Sequence, residues 1–342
     1  MLRLAIIGVG WAGTRQAQAV DELNRKVTLA CFVDNDPDFL KEKAAEFNLQ
    51  KSYTDYQAAL AGPDIDAVSI CTPHNLHRSM AVAAAEAGKH ILVEKPMAVT
   101  VDEATQMIDA AEANGVKLYV AESASYTPMS KFLREIAQSG QYIGELTFAT
   151  MVNGFRAQNF GYPGRRAWLA QPDQGGTGTW MLHGIHTMAQ LRYIFGEVET
   201  VYAQEHKAGS YARTDLEGTM SGLLTMESGV HIAIVQTSET RLPHNLNGFV
   251  LYGDRGSVRA SKAGCEVFGE EAEAAPVHLD YPAAELSEYA LEIEAFADYV
   301  AGQSVGPTTG KSERRSLAIV QAGYESARSG QPVNLEERFG EL

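Results

Sequence analysis

Up to about residue 120, short uninterrupted apolar runs alternate with stretches in which apolar positions recur every three or four residues. The runs at 4–7, 27–33, 67–71, 91–93 and 118–120 read as strands, and the periodic stretches at 14–23, 38–47, 76–87 and 101–113 as helices. Strands that are apolar on both faces, separated by crossover helices, belong to a parallel sheet covered on both sides. The pattern predicts a doubly wound α/β domain over residues 1–122. From about 145 it changes to alternating apolar and polar positions, at 145–152, 198–206, 217–226, 230–236 and 248–251, with turns at Glu227-Ser228-Gly229 and Gly253-Asp254-Arg255-Gly256. Such alternation predicts antiparallel pairing, so residues 123–342 read as an α+β domain on a large, mainly antiparallel open sheet. Helical periodicity returns at 285–300 and 312–329, the latter expected to pack back on one of the domains. The Glu- and Ala-rich segment 269–282 reads as a loop.

Composition agrees with two cores. A chain of 342 residues exceeds one ordinary domain, on a prior of ~100–200 residues each. Nothing approaches the roughly 18 uninterrupted apolar residues of a membrane span. The apolar start at 2–9 has one basic residue and runs into glycines, so it reads as a buried strand rather than a signal peptide. Cys31, Cys71 and Cys265 are widely separated and odd in number, which fits a reducing cytoplasm. A net charge of −15, from 28 basic against 43 acidic residues, repels a nucleic-acid backbone. The pairs Arg165-Arg166 and Arg314-Arg315 are too short for a phosphate-tracking stripe, though each suits one small anion. Neither nucleic acid nor membrane is expected as a partner.

The segment Gly8-Val9-Gly10-Trp11-Ala12-Gly13 follows the first strand directly and opens a helix. In that context the first glycine makes a tight turn and the second admits a pyrophosphate to the backbone. The third lets helix and strand pack closely. Asp34 ends the second strand, where a carboxylate accepts hydrogen bonds from the adenosine ribose hydroxyls. It would repel a 2′-phosphate, and Asn35 is no cation, so NAD is preferred over NADP. The first domain therefore reads as a Rossmann domain.

Two further segments, Cys71-Thr72-Pro73-His74-Asn75-Leu76-His77 and Gly88-Lys89-His90-Ile91-Leu92-Val93-Glu94-Lys95-Pro96, carry a family resemblance. With the glycine motif they resemble the glucose-fructose oxidoreductase / inositol 2-dehydrogenase (Gfo/Idh/MocA) family. The resemblance spans nearly the whole chain. Residues 175–186 are similar to the family's Gly-rich helix start, and 307–335 to its closing segment, with Ala-Gly-Tyr-Glu-Ser-Ala-Arg at 322–328. Glu94-Lys95-Pro96 is its most specific part. The resemblance implies an NAD(P)-dependent oxidoreductase with Thr72, Pro73, Asn75, His77, Glu94, Lys95 and Glu122 among the cofactor contacts.

On physical grounds alone, a lysine at the C-terminal end of a parallel strand stands where such sheets bind ligands, and partial burial makes it a proton donor or a clamp on a substrate oxygen. The resemblance implies that Lys95 bonds the reacting hydroxyl and the nicotinamide ribose, and that Pro96 follows a cis bond. His183 and His186, three apart at a helix start, are read as projecting on one side. An imidazole can take a hydroxyl proton as hydride leaves carbon, and His186 falls on the family's catalytic histidine. Leu182 departs from the aspartate the family usually has four residues before that histidine; His183, one residue on, partly replaces it. Ser123 and Ser125 depart from Asn and Arg in many relatives. The histidine pair lacks Cys or carboxylate ligands nearby, so no metal is expected.

Arg156, Tyr162, Arg165, Arg166 and Trp168 combine cations with aromatics, with Tyr126 and His244 added from other loops. Aromatic faces pack on sugar C–H surfaces and guanidinium forks clamp carboxylates or vicinal hydroxyls, which suits a polyol, sugar, inositol or sugar acid. Three functional classes follow. The first is a dehydrogenase. The second is an NAD-retaining glycosidase or lyase that works by transient oxidation and elimination. The third is a non-catalytic NAD-responsive regulatory protein. An exposed face of the second sheet predicts a homodimer or homotetramer, as relatives use it.

Overall fold

The computed structural model describes residues 1–154, 164–175, 177–209, 211, 215–269 and 275–342, with the backbone but not the side chain of His244. They form two compact units. The first comprises Met1–Ser123, Asp173–Gly175 and Glu285–Arg314, the second Ala124–Pro172, Gly176–Ala284 and Arg315–Leu342.

In the first unit the strands β1 (Leu2–Ile7), β2 (Val27–Val33), β3 (Ser52–Tyr53), β4 (Ala67–Ile70), β5 (His90–Glu94) and β6 (Leu118–Ala121) form one sheet in the order β3-β2-β1-β4-β5-β6. All its pairings are parallel. The helices α1 (Trp11–Leu23), α2 (Pro37–Glu46), α3 (Tyr56–Leu60), α4 (His77–Glu86) and α5 (Val101–Ala113) follow strands β1 to β5 in turn. Because β1 and β4 are neighbours whose chains leave in opposite directions, a crevice opens at their C-terminal ends, which in open α/β sheets is the ligand side.

A later helix, Glu288–Val300, also belongs to this unit. Its Ala290, Ile293, Phe296 and Ala297 pack with Ala19, Val20 and Leu23 of α1 on Leu4, Leu92, Tyr119 and Ala121. Each large apolar side chain so buried contributes roughly 1.5–3 kcal/mol. A division at residue 122 gives this helix to the second domain, whereas it completes the core of the first. An apolar stripe specifies that a helix must pack but not on which sheet.

The second unit is built on a nine-stranded sheet. Its members are β7 (Leu146–Gly154), β8 (Val198–His206), β9 (Thr219–Met226), β10 (His231–Thr237), β11 (Gly248–Gly253), β12 (Ser257–Ser261), β13 (Gly264–Phe268), β14 (Val277–Leu279) and β15 (Val333–Asn334). Their order is β14-β13-β12-β11-β7-β10-β9-β8-β15. Only the β7–β10 pairing is parallel. The helices here are α6 (Pro128–Ser139), α7 (Thr179–Leu182) and α8 (Gly184–Phe195). With Glu288–Val300 as α9, the chain closes on α10 (Gly310–Ser329) and α11 (Leu335–Phe339). The strand Val277–Leu279 lies inside the segment expected to be a loop, a run too short for its alternation to show before pairing with β13.

Candidate active site

β1 ends at Ile7 and the chain turns through Gly8, whose φ of +88° lies in the left-handed region. A Cβ there would stand 2.6 Å from the Cys71 carbonyl oxygen, so the turn and the adjoining β4 loop both exclude a side chain. A Cβ on Gly13 would overlap the Gly8 oxygen and lie 3.0 Å from Ile6 Cγ2. Gly10 differs: no atom lies within 4 Å of the Cβ it would carry, so open space borders the backbone there. Gly10 is the N-cap of α1, and no side chain caps that helix. Space for close approach at the N-terminus of a helix fits a pyrophosphate. Asp34, 5% exposed, supports the loop: its carboxylate accepts from the N–H groups of Val9 and Asp36, each at 3.1 Å. Trp11 is half exposed beside it in sequence order.

The β4 loop carries Thr72 and Pro73, followed by a single turn at His74–Leu76 that leads into α4. Asn75 is exposed and donates to the Asp173 carbonyl at 3.4 Å. His77 is wholly buried, with its ring nitrogens 3.0 Å from the carbonyl oxygens of Thr72 and Pro96. Burial pushes its pKa down to about 4, so the neutral ring donates through one nitrogen. His77 thus ties the β4 loop to the turn after β5. His74 is also buried, with Nδ1 2.7 Å from the Gly175 oxygen. Burial, with His77 and Lys95 nearby, lowers its pKa well below the usual imidazole value.

β5 delivers Glu94, and the Lys95–Pro96 bond is cis. The Gln16 side-chain amide donates to Glu94 Oε1 at 2.9 Å, and the Lys95 backbone N–H donates to Oε2 at 3.2 Å. Ser69 Oγ donates a short bond to Gln16 Oε1. Burial raises the Glu94 pKa to about 6; Lys95 and Gln16 oppose the rise and Glu122 adds to it. Glu122, directly after β6, is fully buried.

In the second unit, His183 and His186 do not share one helix. α7 stops at Leu182, His183 is the N-cap of α8, and His186 lies in the first turn of α8. Both imidazoles are part-buried. No side chain of its own segment caps α7. Instead Glu217 Oε1 accepts from the Trp180 N–H at 2.8 Å and from the Tyr324 hydroxyl at 2.6 Å. Trp180 is fully buried, its indole N–H donating to the Val320 carbonyl at 3.1 Å. Gly178 and Gly323 lie where a Cβ would collide with Glu217 and Trp180 respectively. Under α8, Thr187 donates to Gln236 Oε1 at 3.2 Å.

Of the expected substrate contacts, Tyr126 is 7% exposed, Trp168 is half-buried, and Arg165 and Arg166 are exposed on the short helix Gly164–Ala170. Arg156 and Tyr162 fall outside the described residues, as does the His244 side chain.

The model of the oxidoreductase family with an NAD-binding Rossmann fold matches residues 2–122, and that of the GFO/IDH/MocA C-terminal domain matches 131–259. The chain belongs to the Gfo/Idh/MocA family. It is 31% identical over 230 residues to 1-carboxy-3-chloro-3,4-dihydroxycyclo hexa-1,5-diene dehydrogenase of Comamonas testosteroni, a match spanning 67% of this chain and 56% of that protein. It is 27% identical to D-apiose dehydrogenase of Paraburkholderia graminis, over 97% of this chain and 89% of the relative. The aldose-aldose oxidoreductase from Caulobacter crescentus, solved with glycerol, superposes with a TM-score of 0.85 at 23% identity, covering 97% of this chain and 99% of that one.

Within this Gfo/Idh/MocA chain, the motif residues of the first unit come together at the C-terminal edge of one sheet. Three supports went unread in the sequence: Gln16, which holds Glu94, Ser69, which holds Gln16, and Glu217, which holds α7. Gln16 left a trace, a polar residue on the apolar stripe of α1. Glu217 left none, because its partners lie 37 and 107 positions away.

Proposed function

We propose that this chain is an NAD-dependent dehydrogenase that moves hydride between nicotinamide and a hydroxyl-bearing carbon of a sugar, polyol, inositol or sugar acid. The observation that carries it is Lys95 at the C-terminal end of β5, fixed through Glu94 to the same unit that holds the glycine loop. NAD held at the glycine loop would supply the hydride acceptor, and in reduced form the donor. Lys95 holds the reacting oxygen and the nicotinamide ribose, and His186 takes the hydroxyl proton, with His183 beside it in sequence. Tyr126, Arg165, Arg166 and Trp168 supply aromatic and cationic contacts suited to a carbohydrate. The sugar-like class is supported by the relatives named dehydrogenases of D-apiose and of a dihydroxylated ring.

Asp34 supports NAD over NADP, since its oxygens border the glycine loop and a 2′-phosphate would meet their charge. Asp34→Ala should narrow the preference for NAD, and an unchanged ratio of the two affinities would remove that role. Three free thiols suit work in the cytoplasm. The stacked pair Phe148–Tyr252, ring centroids 4.3 Å apart, supports association through the exposed face of the second sheet. Light scattering on Phe148→Asp should show a smaller particle than the wild type.

The deciding experiment follows reduced-nicotinamide absorbance while the protein and NAD meet a panel of sugars, polyols, inositols and sugar acids. Stoichiometric growth with one member is the expected result. Bound NAD with product release but no net reduction would replace this reading by oxidation and elimination. Bound NAD with neither would replace it by a regulatory role.

A further inference from the structure

Four carboxyl groups of the first unit lie close enough to influence one another, and two of them, Glu288 and Glu292 on α9, have no place in the reaction described above. Glu292, on α9, is 1% exposed, yet the flanking Ala290, Ile293, Phe296 and Ala297 belong to an apolar core. Neither of its oxygens has a hydrogen-bond partner among the described residues. An ionised carboxylate in that position would lack both solvation and a donor, at a cost of several kcal/mol. A neutral acid avoids most of that cost. Glu94 and Glu122 face it from the ends of β5 and β6, Glu288 and Tyr289 from its own helix, and Cys71 from the end of β4; Lys95 is the cation in reach. Buried carboxylates this close cannot all ionise, so whichever holds the proton fixes the charge of the rest. Glu94 has donors, from Gln16 and the Lys95 backbone, and Glu292 has none. The proton therefore belongs on Glu292.

We propose that Glu292 is a positioning residue, the neutral acid of a buried carboxyl cluster, whose retained proton leaves Glu94 free to carry the charge that faces Lys95. Burial, then Glu94, Glu122 and Glu288, all hold its pKa well above the ordinary carboxyl value, while Lys95 alone opposes them. The proposal rests on the placement of Lys95 at the working edge of the sheet, but its test does not depend on turnover.

Infrared difference titration of the full chain, with and without NAD, reads the C=O stretch of a protonated carboxyl. The band should be present at neutral pH and lost in Glu292→Gln. Lys95→Met removes the one opposing charge, so the midpoint of the band should rise by about one pH unit, a tenfold change in the ionisation constant. Glu94→Gln removes a like charge and should move the midpoint down by a similar amount. A spectrum at neutral pH that Glu292→Gln leaves unchanged would overturn the proposal. So would midpoints that fail to move in opposite directions in the other two variants, which settles the matter even if Glu292→Gln does not fold. Should Lys95→Met retain full dehydrogenase activity, the catalytic role given to Lys95 falls while the band shifts still judge Glu292.

Discussion

The two units secure their functional side chains by opposite means. In the first, the residues sit on loops at the ends of parallel strands, and each loop is bonded to another: Asp34 to Val9, His77 to Thr72 and Pro96, Gln16 to Glu94. In the second, His183 and His186 lie at a break between two helices, and the first of these is held through Trp180, by Glu217 at its backbone N–H and by the Val320 carbonyl at its indole. A mesh of loops spreads a disturbance over several bonds, whereas attachments gathered on one residue pass it straight to the helix. Variants in the first unit should therefore separate chemistry from binding cleanly. Variants around Glu217 should mix chemistry with stability.

The largest expected effects come from the two residues proposed to act on the reacting hydroxyl. Lys95→Met and His186→Ala should each lower kcat by about 10²–10⁴-fold, the usual worth of a positioned acid or base. NAD affinity, measured by calorimetry, should stay near the wild-type value in His186→Ala and fall only a few-fold in Lys95→Met, which loses one bond to the nicotinamide ribose. Equal loss of NAD binding in Lys95→Met would show that this lysine anchors the cofactor and does not act in the chemistry.

His77 tests the mesh itself. With its pKa depressed from 6.5 to about 4, the folded protein holds the neutral ring while the unfolded chain takes up a proton. That stability is fully present above pH 6.5 and is lost as pH falls toward 4, to a total of about 3 kcal/mol. Glu94 runs the other way: raised from 4.5 to about 6, it contributes stability at acid pH that is lost as pH rises through that range. The readout is therefore a difference. Urea unfolding of the wild type minus His77→Asn should show a gap that grows between the lower and the higher pH. A constant gap would mean that the histidine does not titrate as its burial demands.

The glycines separate the roles of space within one loop. Gly13→Ala forces a Cβ onto the Gly8 oxygen and should destabilise by roughly 1–3 kcal/mol, visible as a lower Tm without any cofactor. Gly10→Ala meets nothing within 4 Å, so Tm should hold while NAD affinity falls. The reverse pattern would place the cofactor elsewhere.

These contrasts also explain what could be read in the chain beforehand. Gly8, Gly13 and Pro96 answer to backbone demands satisfied within a few residues, so the parallel sheet and its loops were legible from local pattern. The placement of Asp34 and Lys95 was legible because strand ends are fixed points. The break at His183 was not, since helical spacing carries straight across it and the cap arrives from Glu217. The docking of α9 on the first sheet was hidden likewise: its apolar stripe is indifferent to which of two sheets it covers. Glu292, one acid among several on a helix, gains its meaning only from what it is buried beside.

The smallest effect is the most discriminating for the second unit. Glu217→Gln keeps an acceptor for the Trp180 N–H and the Tyr324 hydroxyl but removes the charge that strengthens both bonds, so about 1 kcal/mol of stability should be lost. Burial already raises the Glu217 pKa against those donors, which is why the neutral amide is tolerated at all. If the carboxylate merely fills space, kcat and KM will both stay at wild-type values once the protein is folded. If it sets the helix that leads to His183 and His186, kcat should fall a few-fold while NAD affinity is untouched, because nothing in the glycine loop has changed. Tyr324→Phe removes one of the two donors and leaves the Trp180 bond in place. It should therefore reproduce the stability loss with a smaller change in kcat, which separates the strength of the attachment from its position.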